Sequence, residues 1–268
     1  MRTKQPPVQR EIDIDLELPL TEPEDGAGFI IAADGKSSFN FFLFRVQLAQ
    51  IQGRIYDAIH SALAQSLSSH QQIDQAVGLR HRLNEWMSRV PRQFQPDTIL
   101  RADEPLSCRS FGVLFASHLA CRIAVCQTHI METRWLQTLQ NFGREAVRGE
   151  VLAAAVPSPL GWQELVSESR EYMRLFASIE QKDSAFVWMT ACTYISVGVC
   201  LIANNMFDPH HENVEYDERL ADISFSFLNE MIQQVPYEPL KKTQESYEKL
   251  LLQARVVRLQ ISSQNSYH

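Results

Sequence analysis

The chain has 268 residues, 45% of them hydrophobic, and a formal net charge of −7. That composition can fill one large core or two small ones, which excludes disorder as the default, and its acidic balance offers no general attraction to a phosphate backbone, which disfavours autonomous DNA binding. No apolar stretch follows Met1-Arg2-Thr3-Lys4-Gln5-Pro6-Pro7, so no secretory signal is expected and the protein should stay inside the cell.

In chain order, residues 1–38 mix prolines, acids and glycines. Within them Ile12-Asp13-Ile14-Asp15-Leu16-Glu17-Leu18 alternates with the period of a strand, and an extended arm fits equally. Helical spacing then takes over. Phe41, Phe44, Leu48, Ile51, Ile55, Ala58 and Ala62 line one face of a helix about seven turns long. The short Ser66-Leu67-Ser68-Ser69 link predicts a helical hairpin with a second helix over 71–90. Its inward residues are Ile73, Val77, Leu83, Trp86, Met87 and Val90, and Pro91 stops it. A third helix is expected over 106–139, burying Phe111, Leu114, Phe115, Leu119, Ile123, Cys126 and Ile130, and the glycines and prolines of 141–159 read as a loop. Trp162, Leu165, Tyr172, Phe176 and Ile179 define a fourth helix, and 184–206 a fifth. Leu220, Ile223, Phe227, Met231 and Val235 give a sixth, and Leu240, Tyr247, Leu250, Ala254, Val257 and Ile261 a seventh. No strand alternates with these helices. The expected fold class is therefore all-α, a multi-helix domain of antiparallel helical hairpins over 39–262, with an extended N-terminal arm over 1–38 and a frayed tail over 263–268.

Residues 184–207 carry no charge and are long enough for a membrane span. Thr190, Thr193, Ser196, Asn204 and Asn205, with no flanking Lys/Arg cluster, favour a central helix of a helical domain instead.

His118, Cys121, Cys126 and His129 combine zinc-ligand residue types on one broad helical face. His118 and His129 would lie ~16 Å apart along a straight helix, too far for one ion whose ligands sit ~2.0–2.3 Å away. The five cysteines, Cys108, Cys121, Cys126, Cys192 and Cys200, fall in apolar helical patterns and read as reduced, buried thiols. His210-His211-Glu212 could supply metal ligands or an acid and base, but a polar interhelical turn is the favoured reading. Gly26-Ala27-Gly28 is a fragment of a phosphate loop without its third glycine. Arg80, Arg82, Arg89 and Arg92 surround Trp86, and a solvated helix face explains them better than phosphate contact. Asp13 and Asp15 do not form an aspartate-rich helix motif, and no nucleophile elbow, His-Glu-x-x-His pair or Walker lysine occurs. No catalytic, cofactor-binding or metal residue is assigned.

Three segments in order resemble the fungal-specific transcription factor domain, the middle homology region of zinc-cluster transcription factors. They are Ile12-Asp13-Ile14-Asp15-Leu16-Glu17-Leu18-Pro19, then 44–56 with Leu48, Ile51, Gly53, Ile55 and Tyr56, then 79–91 with Leu79, Leu83, Trp86, Val90 and Pro91. The resemblance covers 11–91, and the later helices follow it in pattern only. Two features depart from it. Five cysteines cannot form the six-cysteine zinc cluster, and Arg122-Ile123-Ala124-Val125-Cys126 stands where the family has a tyrosine helix leading to an Arg-Pro pair. The resemblance implies a nuclear transcription regulator or truncated paralogue without its own DNA-binding module. Its partners would be proteins of the transcription machinery or a DNA-binding subunit, with room for a small-molecule effector and for a homo-oligomer. If family helices preceding the acidic segment normally cover the 41–62 face, their loss would expose apolar area at ~25 cal/mol per Å². Self-association or poor solubility is then expected, and a monodisperse monomer in light scattering would count against it. The alternatives are an all-helical enzyme of secondary metabolism with an apolar pocket near Trp188 and Tyr194, and a membrane-associated helical protein.

Overall fold

The computed structural model describes residues 11–102, 105–132, 135–150, 159–179, 184–235 and 237–265. The fold is all-α, with one two-stranded sheet among the described residues. The chain divides into two compact units, Met1–His129 with Arg174–Thr190, and Ile130–Met173 with Ala191–His268.

In the first unit the acidic-aliphatic arm is exposed at Ile14, Leu16, Leu18 and Leu20. A hairpin that the periodicity did not reveal follows it, with β1 (Phe29–Ile31) antiparallel to β2 (Ser38–Asn40) in the register Ile30 opposite Phe39. Its turn chemistry explains it. The Asp34 carboxylate accepts hydrogen bonds from the Ser37 hydroxyl and from the Ser37 and Lys36 amides at 2.6–2.8 Å, which hold its pKa below the ordinary value, and Gly35 takes φ +66°. Asn40 then links the arm to the first helix. Its side-chain oxygen accepts the Leu43 amide at 3.0 Å, while its nitrogen donates to the Leu20 and Thr21 carbonyls.

Helix α1 (Phe41–Ile55) buries Leu43, Leu48, Ile51 and Ile55. The long helix expected through Ala62 ends earlier. A π-helical turn at Tyr56–His60 gives way to Ser61 in an extended conformation, whose hydroxyl caps the four-residue α2 (Ala62–Gln65). Ala62 is consequently exposed. Of the face expected to lie bare, Leu48, Ile51 and Ile55 are at most 7% exposed, while Phe41, Phe44 and Ala58 are half-buried.

Helix α3 (Ser69–Ser88) opens with a capping box in which Ser68 and Gln71 exchange side-chain and backbone hydrogen bonds. Ala76, Leu79, Leu83 and Trp86 form its buried stripe, which leaves Val77 on the exposed side, contrary to expectation. The Ser68→Ala variant is expected to lose about 1 kcal/mol of stability in thermal denaturation, the usual worth of such a cap.

Helix α4 (Pro96–Ala102) leads to α5 (Pro105–Glu132), and the rings of Phe39, Phe94 and Phe111 stack with centroids 5.2–5.7 Å apart. Close approach fixes α5: a Cβ on Gly112 would lie 2.7 Å from Ile179 Cδ1.

The described parts of the helix expected over 106–139 are α5 up to Glu132 and α6 (Trp135–Val147), with 133–134 outside the described residues, and α6 also takes in the first part of the expected loop. Gly143 signals contact there, not a break. A Cβ at that position would meet Met206 Cε at 2.6 Å and Gln253 Oε1 at 3.3 Å. The true stop is Gly149 at φ +72°, with its amide on the Ala146 carbonyl and the Glu150 amide on that of Glu145, the pattern of a Schellman cap. Residues 151–158 of that loop lie outside the described residues.

Helices α7 (Trp162–Ala177), α8 (Ser184–Phe207), α9 (Val214–Gln234) and α10 (Glu238–Asn265) follow. In the second unit α10 packs on α6 and α9. The buried stripe of α9 is Asp217, Leu220, Ala221, Ser224, Phe227, Leu228 and Met231, so Ile223 and Val235, both expected inside, are 46% and 41% exposed. Arg255 and Arg258 of α10 meet Glu218, Asp222 and Glu215 of α9 at 2.7–3.0 Å, setting the register of the two helices.

Candidate functional site

In the first unit α1 and α5 run in the same direction, because Phe41 packs on Phe111 at 5.2 Å and, eleven residues on, the Gln52 side chain lies near the thiol of Cys121. Between them lies a half-open groove of about 330 Å³. Phe41, Arg45, Leu48 and Gln52 of α1 form one wall and Arg109, Val113 and Leu114 of α5 the other. Met189 of α8, 48% exposed, adds a third side. The Arg45 guanidinium stands 5.8 Å from the centroid of the Phe41 ring, which holds the charge at one end of the groove. The groove is not legible in the sequence, since its walls come from segments far apart in the chain.

Behind that groove the residues flagged as zinc-ligand types have structural partners. His118 stacks on Trp86 with centroids 5.1 Å apart, and its Nε2 lies 3.3 Å from the Leu83 carbonyl. The Trp86 indole donates to the Phe44 carbonyl at 3.1 Å, and Arg122 donates to Asn84 Oδ1 at 2.5 Å. Burial raises the Cys121 thiol to about 12, so it stays protonated and is a poor nucleophile and metal ligand. Cys126 is buried, Cys192 is exposed, and the His129 side chain lies outside the described residues. Among the described residues no three His, Cys, Asp or Glu side chains converge to hold a metal ion. Around Trp86, Arg82, Arg89 and Arg92 are exposed. Arg89 donates to Gln47 and lies over the Phe44 ring, serving α1–α3 packing. The amides of Gly26 and Ala27 go to the Pro23 carbonyl and the Asp25 carboxylate, so this glycine fragment is a turn before β1.

The second unit contains a polar cluster that the sequence reading missed. Asp217, with no exposed surface, receives Arg170 Nε and Nη2 on its two carboxylate oxygens at 2.6 and 2.8 Å. The His211 Nδ1 accepts the Asn213 amide at 3.1 Å, which assigns the proton to Nε2, and Nε2 donates to Asn205 Oδ1 at 2.8 Å. Asn204 accepts from the Trp162 indole at 3.0 Å and donates to Asp217 at 3.4 Å. The His210-His211-Glu212 turn is thus polar as expected, yet His211 points inward and is 12% exposed. Although His211 and Asp217 are 3.6 Å apart, Arg170 takes both carboxylate oxygens, so the cluster is built as a tie between helices. One signal was readable: Asp217 sits three and four residues before Leu220 and Ala221, a charge continuing an apolar stripe.

Burial lowers the His211 pKa below 6.5, against the opposing pull of Asp217. A depressed histidine contributes stability that is complete above pH 6.5 and is lost as pH falls through the folded value. Urea unfolding on either side of that pH is expected to show wild type losing stability on acidification and the His211→Asn variant losing less. Equal losses would contradict this.

Among the described residues two helices, Ser107–Thr128 and Ala185–Phe207, have the length and composition to cross a membrane. Each nonetheless buries polar side chains bonded within its own unit, His118 and Arg122 in the first and Asn204 and Asn205 in the second. Trp188 is 46% exposed, so it does not line the apolar interior suggested for it. Tyr194 is buried edge-on against Phe227.

No family model and no solved structure matches this chain. Over 232 residues, 87% of its length, it is 26% identical to a protein of Aspergillus oryzae and to one of Aspergillus fumigatus, each named ABC-transporter-regulating transcription factor. The alignment covers 26% of each of those proteins, so the chain spans about a quarter of the length of the curated relatives it matches. At this level the chain is similar to fungal transcription factors.

Proposed function

We propose that these residues form the helical regulatory domain of a fungal zinc-cluster transcription factor, acting in the nucleus on protein partners of the transcription machinery or on a DNA-binding subunit. The observation that carries this reading is the likeness over 87% of the chain to two fungal transcription factors. The arm, α1 and α3 also follow, in order, the acidic segment, the helix ending in Ile55-Tyr56 and the Trp86-to-Pro91 stretch of the middle homology region. By extension from the relatives' names, the genes controlled include ABC transporters. DNA contact is not assigned to these residues. Their net charge is −7, and of the five cysteines four are buried in helical packing, which leaves base readout to another module. Catalysis is not assigned to them either.

Fusing residues 1–268 to a foreign DNA-binding module in a fungal host is expected to change transcription of a matching reporter several-fold, up or down. An unchanged reporter, with the fusion present in the nucleus at normal level, overturns the proposal.

A further inference from the structure

We propose that residues 208–213, the turn joining α8 to α9, form a proton-operated latch: the neutral His211 ring holds the turn closed against the second unit, and its protonation releases the turn without unfolding the helices around it. The latch stands on the geometry of that unit and is independent of the regulatory reading. The ring can hold the turn only while it is uncharged. Its Nδ1 accepts the Asn213 amide at 3.1 Å and its Nε2 donates to Asn205 Oδ1 at 2.8 Å, so one nitrogen serves as acceptor and the other as donor. Asn204 Nδ2, 3.1 Å from Nε2, is also a donor, and its acceptor is Asp217. An imidazolium carries a proton on both nitrogens. Its Nδ1–H would point at the Asn213 N–H, and that amide would lose its partner. The backbone of the turn hangs on the same residue, because the His211 amide donates to the Asp208 carbonyl at 3.3 Å and the His211 carbonyl accepts the Val214 amide at 3.2 Å. Asn205 ties the turn to α8 by donating to the Val214 carbonyl at 3.1 Å.

The charges around the ring decide where it goes once protonated. On the buried side stand Asp217 of α9, 3.6 Å from Nε2, and Arg170 of α7. The carboxylate attracts an imidazolium, but Arg170 already binds both of its oxygens and repels the new charge. On the outer side Asp208 and Glu212 of the turn also favour the charged ring and lie exposed, as does His210 beside them. Arg255 and Arg258 of α10 line the space next to Asn205 and Val214, and Glu215, Glu218 and Asp222 hold them. A charged ring that swings outward thus keeps two carboxylates, gains water and gives up one that is already shared. Burial is the largest influence on the ring and disfavours its charged form. The closed turn is therefore favoured above pH 6.5 and gives way as pH falls through the lower value that it imposes on His211. Opening stops at the turn, because the Arg170–Asp217 pair still joins α7 to α9 and the arginine network still joins α9 to α10.

Proton and nitrogen NMR of the full chain, titrated between about pH 8 and pH 5, tests this. At the alkaline end the His211 ring is expected to be neutral with its proton on Nε2. On acidification the Asn213 and Val214 amide signals should move with the midpoint of the ring, which lies below 6.5. Hydrogen-exchange protection at Asn213, corrected for the intrinsic effect of pH, should fall at least about tenfold across that midpoint, while amides in the middle of α10 keep theirs. His211→Gln, which takes up no proton in this range, should leave Asn213 protection independent of pH. The wild-type titration decides the matter even where that variant does not fold. A ring proton on Nδ1 at the alkaline end, a midpoint at or above 6.5, an Asn213 amide that does not follow the ring, or the same acid-induced loss in folded His211→Gln overturns the proposal. So does joint loss of protection at Asn213 and along α10, which is global unfolding and not a latch.

Discussion

The Asp217→Ala variant is expected to lose about 3–5 kcal/mol of stability, the range found when one partner of a buried ion pair is removed. Arg170 is only 20% exposed and gives both of its bonds to this carboxylate, so truncation strands a largely desolvated guanidinium. Asn204 loses an acceptor at the same time. Against a total stability of about 5–15 kcal/mol for a typical domain, that loss takes the second unit close to unfolding. The pair itself is worth far less than its breakage, because desolvating two charges offsets most of their attraction. Arg170→Met combined with Asp217→Leu should therefore be more stable than Asp217→Ala alone. Urea unfolding of the single and double variants decides it. A double variant as unstable as Asp217→Ala would mean that the cluster acts through something other than charge burial. The carboxylate also raises the His211 pKa, so Asp217→Asn should steepen the loss of stability on acidification.

What could be read from the sequence follows from how local each signal is. Leu83, Trp86 and Val90 recur at helical spacing and are all buried, and the fourth and fifth helices lie where their apolar residues place them. Local capping chemistry was also present in the sequence, as Ser68 with Gln71 and Asp34 with Gly35, but apolar periodicity alone passes over it. A stripe at 3.6 residues per turn drifts against steps of three and four, so Val77 and Ile223 fall on the exposed side while the neighbouring positions Ala76 and Ser224 are the buried ones, and Val235 is exposed because α9 ends before it in an extended residue. Neither the groove nor the Asp217 cluster could be assembled in advance. The walls of the groove, Phe41 to Gln52 on one side and Arg109 to Ser117 on the other, come together only through tertiary packing, as do Arg170 and Asp217.

Glycines within helices give the sharpest separation between propensity and packing. Gly78 of α3 has nothing within 4 Å of a Cβ built upon it, so Gly78→Ala should stabilise by about 0.5–1 kcal/mol, the ordinary difference in helix propensity. Gly198 of α8 offers the same gain in propensity but the opposite surroundings. Its Cβ would fall 2.0 Å from Tyr247 Oη and 2.7 Å from Ser224 Oγ. Tyr247 is 1% exposed and donates to the Ala221 carbonyl at 3.1 Å, so its ring cannot withdraw without giving up that bond. Overpacking costs about 1–3 kcal/mol and the lost bond about 0.5–1.5 kcal/mol, which together exceed the gain in propensity. Gly198→Ala is accordingly expected to destabilise by about 2–3 kcal/mol. Because the closest atom is the phenolic oxygen, adding Tyr247→Phe should return part of the loss, although the same change in the wild-type background destabilises. Thermal and urea unfolding of the four proteins in that cycle measure the coupling. A stabilised Gly198→Ala, or a Tyr247→Phe effect of equal size in both backgrounds, would show that α8 does not press against Tyr247 as closely as the structure has it.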